Sequence, residues 1–289
     1  MTSINPVDGN GSPAQQDQIE GVKETLNEFK ERLLNKFGGY IKVISLLSSP
    51  LQDVEQSEEA IPVCVIVDDS DRERMTKEEL HKKLSGVVEE LAEDVDESIS
   101  AETYLVSDIW QLCYDSNQDD VRRIINSAPV YDAGLLDALQ VSEAHKQMVL
   151  DRFEKYIVAY VLGGSVVQGK ATKESDIDVF VVIDDTDVKK MSRAELKDKL
   201  RAIITGMSDE AAQQVGVKNK LNIQVYILTD FWENVKQANP VIFTFLRDGV
   251  PLYDRGIFMA WKQLLEMGRI KPSPEAIDMF MNTGEEMMK

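Results

Sequence analysis

The sequence predicts an α+β protein made of two tandem units of strands and helices, closed by a short C-terminal helical tail. Three observations carry this. Apolar runs of strand length alternate with stretches whose apolar residues recur every three or four positions. The same order of segments occurs twice in the chain. Finally, one strand-like run ends in Gly163-Gly164-Ser165, and the next opens with Asp176-Ile177-Asp178.

Taken in order, residues 1–18 carry Asn, Gly, Ser, Pro and Gln without apolar periodicity and read as a disordered tail. Val22, Leu26, Phe29, Leu33 and Leu34 then mark an amphipathic helix over 19–37, stopped by Gly38-Gly39. Strands are expected at 40–47 and 61–67. A helix over 76–91 starts at Thr76, whose partner Glu79 three residues on makes a capping box. A strand at 101–106 leads into a helix beginning near Ser107, and a strand-like element at 128–132 closes the unit before Gly134. The second unit opens with a helix over 142–156 and ends near Gly256. Helices at 258–267 and 274–288 form the tail, the second starting at Ser273 or Pro274.

The repetition can be read residue by residue. Val63-Cys64-Val65-Ile66-Val67-Asp68-Asp69-Ser70-Asp71 matches Val179-Phe180-Val181-Val182-Ile183-Asp184-Asp185-Thr186-Asp187, an offset of 116 that persists to Lys83-Leu84 and Lys199-Leu200. Ser107-Asp108-Ile109-Trp110 matches Thr229-Asp230-Phe231-Trp232, and Pro129-Val130-Tyr131-Asp132 matches Pro251-Leu252-Tyr253-Asp254, both at 122. One loop with six extra residues accounts for the change. The units are therefore bounded as 19–134 and 135–256, a tandem duplication, with 257–289 as the tail.

Composition narrows the class. No apolar run approaches the roughly 18 residues of a membrane span, and residues 1–18 lack the basic and apolar regions of a signal peptide, so a cytoplasmic location is expected. The net charge of −19 repels phosphate backbones at long range, which disfavours a broad nucleic-acid surface and leaves cationic partners open. Cys64 and Cys113 show no metal-ligand spacing and read as packing residues. His81 and His145, both in charged helical stretches, read as surface residues.

The chemistry concentrates at 163–178. Alternation along a strand puts Asp176 and Asp178 on one face, their Cα atoms roughly 7 Å apart, with Ile177, Val179, Val181 and Ile183 on the other. Two carboxylates so placed stay charged together when a cation lies between them, and oxygen ligands suit Mg2+. Gly163 and Gly164 leave room for a phosphate to approach the backbone, and the Ser165 hydroxyl can donate to it. A helix starting at Ser165 would add its positive end. Lys170 in the following loop and Ser175 before the acids complete the nucleotide-contacting set. Gly164, Gly169 and Lys170 come close to a Walker A loop, but Ala171 stands where Ser or Thr is needed, and the interval to Asp176 leaves no room for the P-loop helix.

Gly164-Ser165 followed by Asp176-Ile177-Asp178 in an apolar strand resembles the signature of the nucleotidyltransferase superfamily, which includes DNA polymerase beta and the minimal nucleotidyltransferases of toxin systems. The resemblance spans residues 157–228. It implies two polymerase-beta-like domains, each a mixed sheet flanked by helices, with nucleoside triphosphate at Gly164 and Ser165 and metal at Asp176 and Asp178. Such enzymes place a third carboxylate on a later strand. Here that strand, 221–228, offers Asn222, Gln224 and Tyr226, and Gln224 stands in the acid's role as orienter of an acceptor or of a metal-bound water. In the first unit, Ser48-Ser49 replaces the Gly-Ser, Ala60 and Pro62 replace the acids, and Glu102 corresponds to Gln224, so that unit reads as degenerate.

The expectation is a Mg2+-dependent nucleotidyltransferase, with one or two ions, moving NMP from ATP or another NTP to a hydroxyl acceptor on an unidentified protein or RNA. The alternative is a nucleotide-binding scaffold of weak or absent turnover, of which an antitoxin-like protein is one form. Glu102 could instead serve the second unit's site across the interface. Asp184 and Asp185 recur as Asp68 and Asp69 and are read as turn and helix-start residues. Trp110, Trp232, Tyr131 and Tyr253, present in both units, are read as packing residues.

Overall fold

The computed structural model describes residues 13–48, 60–71, 75–115, 117–186, 192–237 and 239–271. The helix expected at 274–288 and most of the N-terminal tail lie outside them.

The first unit runs α1 (Pro13–Phe37), β1 (Ile41–Leu46), β2 (Ile61–Val67), α2 (Lys77–Glu93), β3 (Ile99–Leu105), α3 (Val106–Tyr114), α4 (Gln118–Ile125) and β4 (Ala128–Asp132). The second runs α5 (Leu135–Phe153), β5 (Ile157–Gly163), α6 (Gly164–Val167), β6 (Ile177–Ile183), α7 (Arg193–Val215), β7 (Leu221–Ile227), α8 (Leu228–Lys236), α9 (Pro240–Asp248) and β8 (Val250–Asp254), followed by α10 (Phe258–Glu266). The α1 helix starts at Pro13, six residues before its apolar periodicity begins. Thr76 and Glu79 make the capping box of α2, Glu79 N to Thr76 Oγ1 at 3.2 Å and Thr76 N to Glu79 Oε2 at 3.3 Å.

Each unit contains a four-stranded mixed sheet, ordered β3-β2-β1-β4 and β7-β6-β5-β8. In both, the middle pair is antiparallel, the crossover pair is parallel and the last strand is antiparallel. Registers repeat at the sequence offsets: Ile41 faces Val67 as Ile157 faces Ile183, and Cys64 faces Glu102 as Phe180 faces Gln224. Even the bulges recur, after Ile41 and after Ile157.

In each unit one aspartate, at the end of the last strand, sets the helix that follows. The Asp132 carboxylate accepts from the backbone N–H of Gly134, Leu136 and Asp137 at 3.0 Å each, and Asp254 accepts from Ile257, Phe258 and Met259. Capping by Asp132 explains why α5 begins at Leu135, seven residues earlier than expected. Asp184 is a turn residue, accepting from Thr186 N at 2.9 Å, as Asp68 accepts from Ser70 N at 3.0 Å. Asp185 and Asp69 do not start helices. They reach across to Thr229 N and Ser107 N and tie the strand end to α8 and α3. The helices α2 and α7 are capped instead by Thr76 and Ser192.

One continuous core runs from Cys64 and Ile66 of the first sheet, through α3, α4 and α5, to Ile177, Val179, Val181 and Ile183 of the second. Because α5 lies between the sheets, nine of its residues are buried, His145 among them at 0% exposure. The surface reading of His145 is thereby corrected: β5 and α7 of the same unit pack over it through Tyr160 and Ile204. Nε2 donates to the Ile204 carbonyl and Nδ1 accepts from the Tyr160 hydroxyl, each at 2.9 Å, and both bonds suit the neutral ring. Cys64 is buried and Cys113 half-buried, both free, and burial pushes each thiol up to about 12. Among the described residues no helix is long and apolar enough to cross a membrane.

Burial holds the pKa of His145 below its ordinary value. A group whose folded pKa is depressed gives stability that is complete above the unfolded value and is lost as pH falls below it. We expect stability to decline from about pH 6.5 downward at up to about 1.4 kcal/mol per pH unit from this group. Denaturant unfolding across pH 5 to 8 checks this, with His145→Gln expected to be less stable at pH 8 and flatter in slope.

Candidate functional site

The site forms where β5 ends and β6 begins. Gly163 pairs with Asp178 across the antiparallel ladder, and Asp178 lies beside Asn222 of β7 in the parallel one. Gly164 turns the chain away at φ +65°, and a Cβ there would lie 2.1 Å from Asp178 Oδ2. Only glycine lets the chain leave the sheet directly under that carboxylate. At Gly163 a Cβ would meet the Phe245 ring at 2.5 Å, so this first glycine admits the aromatic wall.

Asp178, Phe180 and Val182 project from the face opposite Ile177 and Val179. Most of that face is covered by α8, α9 and α10 through Phe231, Ile242, Phe245, Leu246 and Phe258. Beyond Phe180, which lies 4.5 Å centroid to centroid from Phe245 and stacks on Tyr226 at 4.7 Å, the cover ends. A recess of about 330 Å3 remains, in which Gly163, Gly164, Asp178 and Gln224 meet Thr244, Phe245 and Asp248 of α9.

The expected site residues thus divide. Gly163, Gly164, Asp178 and Gln224 come together. Ser165 is half-buried, Asp176 and Lys170 are exposed, and none of the three lines the recess. The Ser175 hydroxyl is engaged in its own loop, accepting from Thr172 N at 3.0 Å and meeting Thr172 Oγ1 at 2.9 Å. The helix expected at Ser165 is a single turn ended at Gly169, φ +67°, so it adds little dipole. Asn222 donates from Nδ2 to Asp178 Oδ1 at 2.9 Å, holding the carboxylate and leaving Oδ2 toward Gly164.

Asp248, Thr244 and Asn219 join the expected set. Asp248 stands where the first unit has Asn126, and that replacement of an amide by an acid is the signal that could have found it. Arg247 grips its carboxylate with two bonds, Nε at 2.7 Å and Nη2 at 2.6 Å, and holds its pKa below the ordinary value. Asn219, 3% exposed, donates to the carbonyls of Thr172 and Ser175 at 3.1 and 2.9 Å and so fixes the loop that delivers Asp176.

The same position in the first unit is filled. Leu47 N bonds Pro62 O at 2.9 Å, repeating the Gly163–Asp178 pairing in backbone alone. Glu102 and Arg123 occupy the places of Gln224 and Phe245 and form a two-bond ion pair at 2.6 and 2.9 Å, with Tyr104 adding a third bond to Glu102. Glu102 is therefore engaged within its own unit and not across the interface.

A divalent cation fits the donor chemistry of Asp178 and Asp176: hard oxygen ligands, one of them facing a cradle that a Cβ would fill. Among the described residues no group of three or more acidic, His or Cys side chains is placed to enclose a metal, so substrate oxygens would have to complete its shell.

Residues 143–238, from within α5 to just past α8, match the family model described as a nucleotidyltransferase domain. One solved structure, described as "Crystal structure of the toxin-antitoxin with AMP-PNP", is similar at 16% identity, covering 51% of this chain and 92% of that chain, with a TM-score of 0.25. No curated protein gives a significant match.

Replacing Gly164 by Ala forces a side chain into the left-handed region and against Asp178 Oδ2. We expect a loss of about 1–3 kcal/mol of stability from the backbone strain, measured by thermal unfolding.

Proposed function

We propose that the second unit transfers a nucleotidyl group from ATP or another NTP to a hydroxyl acceptor. The observation that carries this is the placing of a glycine backbone free of Cβ atoms directly under the Asp178 carboxylate, in a recess open to solvent. Gly163, Gly164 and Ser165 would receive the triphosphate, with Lys170 available to its outer phosphates. Asp176 and Asp178 would hold one or two Mg2+ ions, which supply charge neutralisation at the phosphate oxygens when bound. The acceptor oxygen forms a bond to the alpha phosphorus as the bond to the bridging oxygen breaks, and pyrophosphate leaves.

The hydroxyl proton needs a destination. Gln224 and Asn222 are amides and cannot take it, while Gln224 can still orient the acceptor. Asp248, the other carboxylate of the recess, is the available group, and its pairing with Arg247 makes it a weak base. Slow turnover is the consequence. A protein or RNA acceptor suits the open recess, and the charge of −19 favours one that needs no broad phosphate-binding surface. We read the units 19–134 and 135–256 as a tandem duplication whose first copy lost its site, in a protein of the cytoplasm.

The hydrogen bond from Asn222 to Asp178 favours a second reading. It occupies a lone pair that a metal would use, which suits a scaffold that binds nucleotide without transferring it.

Pyrophosphate release from NTP with Mg2+, over a range of acceptors, tests the first reading. Asp176→Ala with Asp178→Ala should lower turnover at least 100-fold, and undiminished turnover would refute the assignment. Calorimetric Mg-ATP binding with no product from any acceptor selects the scaffold.

A further inference from the structure

The first unit has lost its own recess, yet one of its helices reaches both walls of the second. On α3, Trp110 donates from Nε1 to the Val167 carbonyl at 3.0 Å. Val167 ends the single turn that begins at Gly164, the wall expected to meet phosphate. One helical turn further along α3, Tyr114 donates from its hydroxyl to the Gly249 carbonyl at 3.3 Å. Gly249 follows Asp248 and also lines the recess, on its opposite wall. Trp110 is 7% exposed, so its indole N–H has no water to turn to if this bond is lost.

The second wall has a further support. Lys262 of α10, 6% exposed, donates to the carbonyls of Leu246 at 3.3 Å, Arg247 at 2.5 Å and Gly249 at 3.5 Å, which closes the C-terminal end of α9. Its ammonium lies 5.2 Å from the centroid of the Tyr114 ring. Tyr114 therefore holds Gly249 directly and Lys262 through its ring face. The linker adds a backbone contact: a Cβ on Gly134 would lie 2.4 Å from the Thr172 carbonyl carbon, in the loop leading to Asp176.

The counterpart helix of the second unit shows what α3 does beyond packing. On α8 the residue matching Trp110 is Trp232, which is 43% exposed and stacks on Trp261 of α10. The residue matching Tyr114 is Lys236, bonded to Glu233 on its own helix. The reach onto carbonyls of another unit thus belongs to α3.

We propose that the degenerate first unit is retained as a positioning element, with Trp110 and Tyr114 setting the separation of the two walls of the second unit's site. Both are positioning residues, since they act through Val167 and Gly249. The proposal rests on the nucleotidyltransferase reading for its purpose, though its geometry can be tested without nucleotide.

Amide hydrogen exchange on the full-length protein decides it. The amides of Gly169 and Lys170 bond within the turn after Gly164, and that of Gly249 bonds the Phe245 carbonyl. Trp110→Phe should speed exchange at Gly169 and Lys170, and Tyr114→Phe at Gly249, each about fivefold, with strands β5 and β6 unchanged. Mg-ATP affinity should fall about fivefold in Trp110→Phe, while Trp232→Phe leaves both readouts at the wild-type level. Unchanged exchange in both variants would overturn the proposal, as would acceleration spread evenly over the second unit. Tyr114→Phe, nearly isosteric, decides alone if Trp110→Phe does not fold. Wild-type protein that fails to bind Mg-ATP would sink the proposed function, and the exchange data would still judge the positioning.

Discussion

The close approach of the Gly163-Gly164 backbone to the Asp178 carboxylate is the constraint on which the second unit's site depends. Strand pairing brings the two together, and the absent Cβ at Gly164 keeps the space between them open. The remaining features serve that gap. Asn222 steadies one carboxylate oxygen, Phe245 fills the position above Gly163, and Asn219 pins the loop between glycines and acids. The first unit keeps the same backbone pairing, through Leu47 and Pro62, with different side chains around it. With Pro62 for the acid and a Glu102–Arg123 ion pair across the mouth, strand geometry persists and the recess does not.

The two units share one hydrophobic core. The helix α5 is buried against both sheets, and its His145, Lys146 and Ser142 are all within the core. Lys146 sits there at 5% exposure because Glu143 and the Leu252 carbonyl satisfy it. A buried charge of this kind contributes little net stability but is costly to leave unpaired, and with both partners in the second unit it fixes α5 against β8. At the far side, α10 covers the aromatic face of the second sheet, with Trp261 stacked on Phe231 at 4.6 Å. It closes an end that, in the first unit, the second unit itself closes.

Much of this is legible from residues alone. The strand at 61–67 and the capping box of Thr76 and Glu79 stand where pattern places them, because period-two runs and caps are local effects. Offsets of 116 and 122 reappear as matching registers. Three kinds of feature are not legible. His145 reads as a surface residue because the groups that cover it, Tyr160 and the Ile204 carbonyl, lie 15 and 59 residues further along the chain. Pattern places the start of α5 late because its first turns are held by Asp132, a residue that belongs to the preceding strand. The wall formed by α9 escapes pattern because Val241 to Leu246 is almost continuously apolar and shows no helical period, so Thr244 and Asp248 have no frame to place them in. Within the site, sequence finds the glycines, Asp178 and Gln224, but does not tell that Ser175 bonds inward or that Asp176 and Lys170 lie outside the lining.

We propose that nucleotide and metal belong to the second unit alone, at Gly163–Ser165 and at Asp176 and Asp178. Crystals of the full chain grown with Mg2+ and a non-hydrolysable ATP analogue measure this directly. We expect a triphosphate against Gly163, Gly164 and Ser165, metal on Asp176 and Asp178, and the Glu102–Arg123 pair undisturbed in the first unit. Nucleotide bound elsewhere, or with that ion pair opened to receive it, would contradict it.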